Sequence, residues 1–372
     1  MLLTNATLAG RSGTELYVRD VATALLRAGH RPVVYSPRLG PLADELRRAT
    51  VPTVDDLESV GVTPDVIHAH HALESLTALL RFPQTPAVFV CHDWSAWHDE
   101  PPRLDRVRRY IAVDDTCRDR LVGQCGIAAG RISVLQNAVD LARFLPREVS
   151  LPPRPRRALV MSNYVQRDAV LANIRAACDR RDIALDAVGL RMSGACDAPE
   201  HMLGGYDLVF AKGRCALEAM ASGAAVIVCD RTGMGPMVTS ADFPRLRRWN
   251  FGRRLLQQPV RTPTVVGEID RYDAADAARV SKIVRDTAGL DPLVARLVGV
   301  YRDAIDEHRA ATAETMPDVA AEIAAEYRAI ARHLRWWAVT WEPLLREEAL
   351  RYRRAGLIAR LGRSLGKRAV AI

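Results

Sequence analysis

Two cations, Lys212 and Arg214, flank Gly213, and an acid, Glu218, follows among small apolar residues. Backbone amides and fixed cations at a helix start favour a phosphate group, and a guanidinium can bind one bidentately. A carboxylate one turn further in can accept from both hydroxyls of a vicinal diol such as a ribose. Residues 225–228 form a continuous apolar run, the pattern of a parallel strand covered on both faces. Together these residues predict a nucleotide-diphosphate pocket at the carboxyl end of a parallel sheet.

Other polar residues fall just after apolar runs that read as strands. His68, His70 and His71 end the run 65–71, His92 and Asp93 follow 87–91, and Asn137 follows 132–135. Open α/β sheets bind ligands at such places. The turn 10–15, with Arg11, Ser12 and Gly13, opens a helix and offers backbone amides there. The histidines and Asp93 invite a metal reading, but the His-x-His-His spacing lacks a convincing third carboxylate. No resident metal is expected.

The elements that must position these residues alternate along the chain. A strand over 2–8, a helix over 16–27 and a strand over 31–36 make one parallel strand-helix-strand unit. Strands over 65–71, 87–91, 110–113 and 132–135 continue it, with helices near 72–80 and 116–125. Residues 146–157, rich in proline and arginine, read as a linker. Alternation restarts with strands over 158–162, 185–188 and 208–211 and a helix over 168–180. From about residue 270 the pattern is helical, over 273–287, 291–310, 317–339 and 342–365.

The fold class expected is α/β: two Rossmann-like, doubly wound domains facing a cleft, with a helical C-terminal extension. The boundaries are 1–145, the linker 146–157, 158–310, and helices over 311–372 that cross back to the first domain.

The 372 residues suffice for two cored domains, and 49% apolar with 26% charged residues marks a folded globular protein. A net charge of +8 suits an acidic partner. Residues 332–372 hold nine Arg and one Lys against three Glu, a difference of +7, with Trp336, Trp337 and Trp341 at their start. That composition suits either a structural helix or an anionic membrane surface. No nucleic-acid motif is present, so no nucleic-acid partner is expected. Seven cysteines, an odd number without a Cys-x-x-Cys pair, read as reduced core residues of a cytoplasmic protein. No signal peptide and no run of about 18 apolar residues is evident.

In their order and spacing, several segments resemble the GT-B fold glycosyltransferases, specifically glycosyltransferase family 4. They are the turn 10–15 before a helix ending at 27–30 (RAGH), 64–70 (PDVIHAH), 89–93 (FVCHD), 131–140 (RISVLQNAVD) with Arg143 and Phe144, and 217–223 (LEAMASG). The resemblance implies a cytoplasmic enzyme, peripheral at the inner membrane face if its basic tail binds lipid. It would move a sugar from a nucleotide-diphosphate sugar to a hydroxyl acceptor such as a glycan or lipid-linked glycan, in polysaccharide biosynthesis, without a cofactor.

The resemblance also implies site roles. Glu218 would hold the ribose, and Lys212, Gly213, Arg214, Gly13 and Arg167 the rest of the donor. His92, with Asp93 beside it, would sit at the reacting centre, and Arg11, Ser12, His70 and Asn137 on the acceptor side.

Two departures stand out. Retaining members carry a second glutamate eight positions before the one matching Glu218, where this chain has Phe210. They also carry an Arg and a Lys after the first strand of the second domain, where residues 162–168 offer only Arg167. Two rival functions therefore stay open, a nucleotide-sugar hydrolase or epimerase of the same fold and a non-catalytic binding protein.

Overall fold

The computed structural model describes residues 1–192, 196, 198–312 and 319–340. The chain divides into two compact units, one of Met1–Pro102 with Arg106–Thr315 and one of Arg103–Asp105 with Met316–Ile372.

The first unit opens with β1 (Leu2–Thr4), α1 (Gly13–Arg27), β2 (Val33–Tyr35), α2 (Pro41–Arg48) and β3 (Thr53–Val54). It continues through β4 (Ile67–Ala69), α3 (Ala72–Arg81), β5 (Ala87–Cys91), β6 (Val107–Ala112), α4 (Asp115–Gly123) and β7 (Ile132–Val134). These strands pair in the order β3-β2-β1-β4-β5-β6-β7, parallel throughout.

A second sheet follows, from β8 (Arg157–Met161), α5 (Ala169–Asp179), β9 (Ala184–Val188), β10 (Leu208–Ala211), α6 (Gly213–Ala221), β11 (Ala225–Asp230) and β12 (Gly233–Met237). Its order is β12-β11-β10-β8-β9, parallel except where β12 returns against β11. The strand order reverses between β8 and β10, the switch point at which doubly wound sheets open a crevice. The chain then runs through α7 (Phe243–Arg247), α8 (Thr262–Ile269), α9 (Ala274–Thr287) and α10 (Leu290–Thr312).

The expected fold class is the one observed. Continuous apolar runs explain the strands, since Leu208–Ala211 and Ala225–Asp230 are buried at every position. Apolar cores cover both faces of the second sheet, one around Leu217, Met220 and Phe251, the other around Ile174, Phe210 and Ile227. Small residues let α6 lie close to the sheet and to α9. Gly223, at φ +88°, ends α6 in the left-handed conformation that favours glycine.

Three differences from the sequence reading have local causes. β1 stops at Thr4 rather than residue 8, because the Asn5 side chain donates to Thr7 O and the Ala6 amide to His71 Nδ1. The short helix α2 and the Gly- and Pro-containing strand β12 carry too little periodicity to read in advance. α10, which the sequence places in the second domain, packs against α1, β5 and β6 of the first sheet. It does so through a buried stripe of Leu293, Leu297, Tyr301 and Ala304, one face of a helix.

The second unit, described by itself, contains α11 (Val319–Thr340). In it the Glu326 and Glu322 carboxylates accept from the amides of Arg103 and Asp105. The basic tail beyond residue 340 lies outside the described residues. Among the described residues no helix is long and apolar enough to cross a membrane.

Candidate functional site

A cleft opens at the β8–β10 switch point. The second sheet contributes Ser162 and Asn163 after β8, Val188 and Gly189 at the end of β9, and Arg214, Cys215 and Glu218 of α6. Facing them are Arg11, Gly13, Leu16 and Arg19 from the first turn and helix, with Arg143, Phe144 and Pro199 at the side. Gly189 allows the β8 and β9 ends to meet. It sits at φ +149°, and a Cβ there would fall 1.8 Å from Ser162 O.

The charges in this cleft form one network. Arg214 donates from Nε to Glu218 Oε1 at 2.6 Å and from Nη2 to Asp20 of α1. Asp20 also accepts from Arg19 Nε at 2.8 Å and lies 3.6 Å from Arg143, which donates to Glu200 at 2.8 Å. Glu45 of α2 pairs with Arg11 and Arg19. Four guanidiniums thus alternate with four carboxylates. Burial pushes the Glu218 carboxyl up, opposed by Arg214. Burial also pushes Asp20 up, but the Arg214 and Arg19 guanidiniums outweigh it and hold Asp20 below its usual range. Charges taken out of water this way interact strongly and exclude solvent.

The structure separates the donor-side residues named from the sequence. Glu218, Arg214 and Gly13 line one cleft, together with Arg11, which the sequence placed on the acceptor side. Lys212 does not: its ammonium pairs with buried Asp230 and stands 4.5 Å over the Tyr164 ring. Asp230 also takes the Ser162 hydroxyl at 2.7 Å, so Lys212 helps fix the β8 turn. The Gly213 amide donates to Phe251 O. Ser12 caps α1, and Arg167 is exposed and outside the cleft lining. Phe210 is core, where the resemblance leads one to expect a glutamate.

Of the acceptor-side and catalytic candidates, His70 and His92 lie in a ring cluster at the ends of β4 and β5, Asp93 beside them is exposed, and Arg11, Ser12 and Asn137 lie elsewhere. His70 and His92 stack at 4.8 Å, and Tyr17 meets His92 edge-on at 4.7 Å. The Tyr301 hydroxyl of α10 lies 2.6 Å from His68 Nδ1, and His68 Nε2 lies 2.6 Å from His70 Nε2. A hydroxyl donated by Tyr301 puts the His68 proton on Nε2 and the His70 proton on Nδ1. Burial lowers His68 and His92 to about 3. None of these rings lines the cleft. The Asp93 carboxylate accepts from the amides of Ser95 and Ala96 at 2.7 and 2.8 Å, and the Asn137 carbonyl accepts from Arg247. Among the described residues no group of three or more His, Cys, Asp or Glu has a metal-holding arrangement.

Sequence reasoning missed Asp20, Arg19, Glu45, Glu200 and Asn163. Local pattern holds no signal for them, because their partners are remote: Asp20 and Arg214 are 194 residues apart.

Comparison with known proteins fits this geometry. Residues 56–143 match the family model described as Glycosyltransferase Family 4. No curated protein matches the chain in sequence. Among solved structures, Anabaena HepE in complex with UDP and glucose is similar at a TM-score of 0.56 and 14% identity, over 80% of this chain and 98% of that one. Sucrose-phosphate synthase from Thermosynechococcus elongatus is similar at 0.55 and 14%, over 82% and 99%. A Listeria monocytogenes protein assigned as a UDP-N-acetylglucosamine 2-epimerase is similar at 0.53 and 14%, over 82% and 96%. The fold is GT-B, and the chain resembles glycosyltransferase family 4 in a divergent form.

Proposed function

We propose that this chain is a glycosyltransferase that takes a nucleotide-diphosphate sugar and passes the sugar to a hydroxyl of a glycan or lipid-linked glycan. One observation carries the reading: a buried acid, Glu218, lines a cleft whose other charged lining residues are arginines, each paired with a carboxylate, at the switch point of a doubly wound sheet. Glu218 accepts from the two ribose hydroxyls. The diphosphate replaces Glu45 or Glu200 on Arg11 and Arg143, since phosphate and carboxylate present the same oxygen pair to a guanidinium.

Departure of the diphosphate builds charge on its oxygens, and prepositioned guanidiniums in a water-poor cleft stabilise that charge. Orientation of donor and acceptor supplies much of the remainder. Net retention, a cytoplasmic location and a role in polysaccharide assembly are parts of the same proposal. So is peripheral membrane contact through the basic C-terminal stretch.

The similarity to the Listeria protein supports a second reading, a nucleotide-sugar epimerase or hydrolase. Donor turnover without acceptor would select it. A third, a binding protein without turnover, follows from Phe210 in the place of the expected glutamate.

A thermal-shift panel of UDP, GDP, ADP, TDP and CMP, with and without attached sugars, tests the proposal. A shift with one diphosphate and its sugar conjugates, lost in Glu218→Ala, supports it. Folded protein that responds to none of them overturns it.

A further inference from the structure

The turn after β5 holds two partly exposed indoles over a set of buried hydrogen bonds. Trp94 and Trp97 are 38% and 37% exposed. Beneath them, Asp93 Oδ1 accepts from the Ser95 and Ala96 amides. Arg120 of α4 donates to the carbonyls of Asp93 and Ala96 at 2.6 and 2.8 Å. Asp99 accepts from the amides of His92 and Asp93. Asp99 and Arg120 are both buried.

Desolvating two charged groups to order a turn opposes folding unless their hydrogen bonds are complete. Leaving two large aromatics more than a third exposed forgoes part of the stabilisation that burial gives them. The turn therefore does both things a purely structural loop avoids, and it does them at a strand carboxyl end, where α/β sheets take ligands.

The surroundings define the ligand's chemistry. Arg253, which follows α7, stands over the Trp94 ring at 5.6 Å. Its neighbours are committed elsewhere, Arg248 to Asp115 and Arg254 to Asp119, each at 2.7 Å. The patch thus presents two partly exposed indoles, Trp94 beneath Arg253 and Trp97 edge-on to His98, and in Arg253 one cation without a carboxylate partner among the described residues. Flat, partly exposed rings match the C–H face of a pyranose, whose weakly positive hydrogens meet the negative face of the π-system. A single guanidinium matches a single anionic substituent. A bilayer of anionic headgroups would instead favour a field of unpaired cations.

We propose that Trp94, Trp97 and Arg253 form a saccharide subsite, separate from the cleft lining, that holds the acceptor as a glycan bearing an acidic sugar. This rests on the glycosyltransferase reading for its role as an acceptor site, and not for the binding itself.

Intrinsic tryptophan fluorescence, titrated with hyaluronan tetrasaccharide, tetragalacturonate and neutral cellotetraose, tests it. The expected result is saturable quenching by at least one uronate tetramer, about tenfold tighter than by cellotetraose. W94A and W97A lose it by tenfold or more, and R253Q brings the uronate down to the neutral value. Circular dichroism and the unfolding midpoint of each variant establish that it is folded.

No saturable change with any tetramer, or affinity unaltered in folded W94A, W97A and R253Q, overturns the proposal. So does binding confined to phosphatidylglycerol vesicles and lost in W94A, which would make the patch a lipid contact. A UDP shift without saccharide binding removes this subsite and leaves the donor reading intact. Saccharide binding without any nucleotide shift does the reverse.

Discussion

Asp20 and Arg214, 194 residues apart, form a buried ion pair that ties α1 beneath the first sheet's turn to α6 of the second sheet. Arg214 at the same time holds Glu218, so one guanidinium bridges two carboxylates. Removing it leaves Glu218 buried without its guanidinium, while Asp20 keeps Arg19. Uncompensated buried charge of this kind costs about 3–5 kcal/mol. Arg214→Leu is therefore expected to lower unfolding stability by roughly that amount, and Asp20→Asn by less, since Arg214 keeps Glu218. The pair's coupling in a double-mutant cycle by urea denaturation should exceed about 1 kcal/mol. Additive effects would mean that the two charges do not interact.

Glu218 should separate binding from folding. Glu218→Gln keeps the volume and leaves Arg214 paired with Asp20. Loss of a charged acceptor for two hydroxyls is worth about 1.5–3 kcal/mol, or ten- to about a hundredfold in nucleotide affinity. Calorimetry with the nucleotide selected by the thermal-shift panel measures it beside the melting temperature of the free protein. Equal affinity in Glu218→Gln and wild type removes Glu218 from the ribose.

The histidine cluster makes stability fall in acid. Unfolded imidazoles take up protons near 6.5, whereas buried His68 and His92 resist until about 3 and His71 until about 4. The unfolded chain thus binds more protons between these values, and stability, complete above about 6.5, is lost as pH falls towards 3. Each group contributes up to about 1.4 kcal/mol per pH unit. Asp99 opposes this: burial raises its carboxyl to about 6, so acidification from 6 towards 4 favours the folded form. The histidines outnumber it, and a net loss of roughly 4–5 kcal/mol is expected between pH 7.5 and 5. Urea midpoints at the two pH values check this, and His92→Gln should flatten the slope. A stability independent of pH over this range would show that the rings are hydrated.

What the sequence revealed in advance was local. The runs at 208–211 and 225–228 and the small residues around Glu218 announce a buried parallel sheet and a close-packed helix, because each depends on neighbours a few positions away. The same locality made Lys212 read as a phosphate ligand, whereas its charge is neutralised by Asp230 at the end of the next strand. His92 follows a strand as expected, yet it packs edge-on against Tyr17, a contact that only the packing of α1 on the sheet creates. β12 escaped notice because glycine and proline carry no strand pattern, and it exists by pairing with β11.

Glycine substitutions at two sites should act in opposite directions. Gly189 has φ +149°, outside the range of L side chains, and a Cβ would overlap Ser162 O at 1.8 Å. Gly189→Ala must push apart the ends of β8 and β9, the two turns that give the cleft Ser162, Asn163 and Val188. Backbone strain and displacement of this kind cost about 2–4 kcal/mol, and nucleotide binding should weaken with the cleft's geometry. Gly267 lies inside α8, and a Cβ there meets nothing within 4 Å. Gly267→Ala reduces the freedom of the unfolded chain and should stabilise by about 0.5–1 kcal/mol. Denaturant unfolding of the two variants side by side, with nucleotide affinity on each, tests the contrast. Equal stability in both would mean that the β8–β9 approach at Gly189 is loose and that it does not shape the cleft.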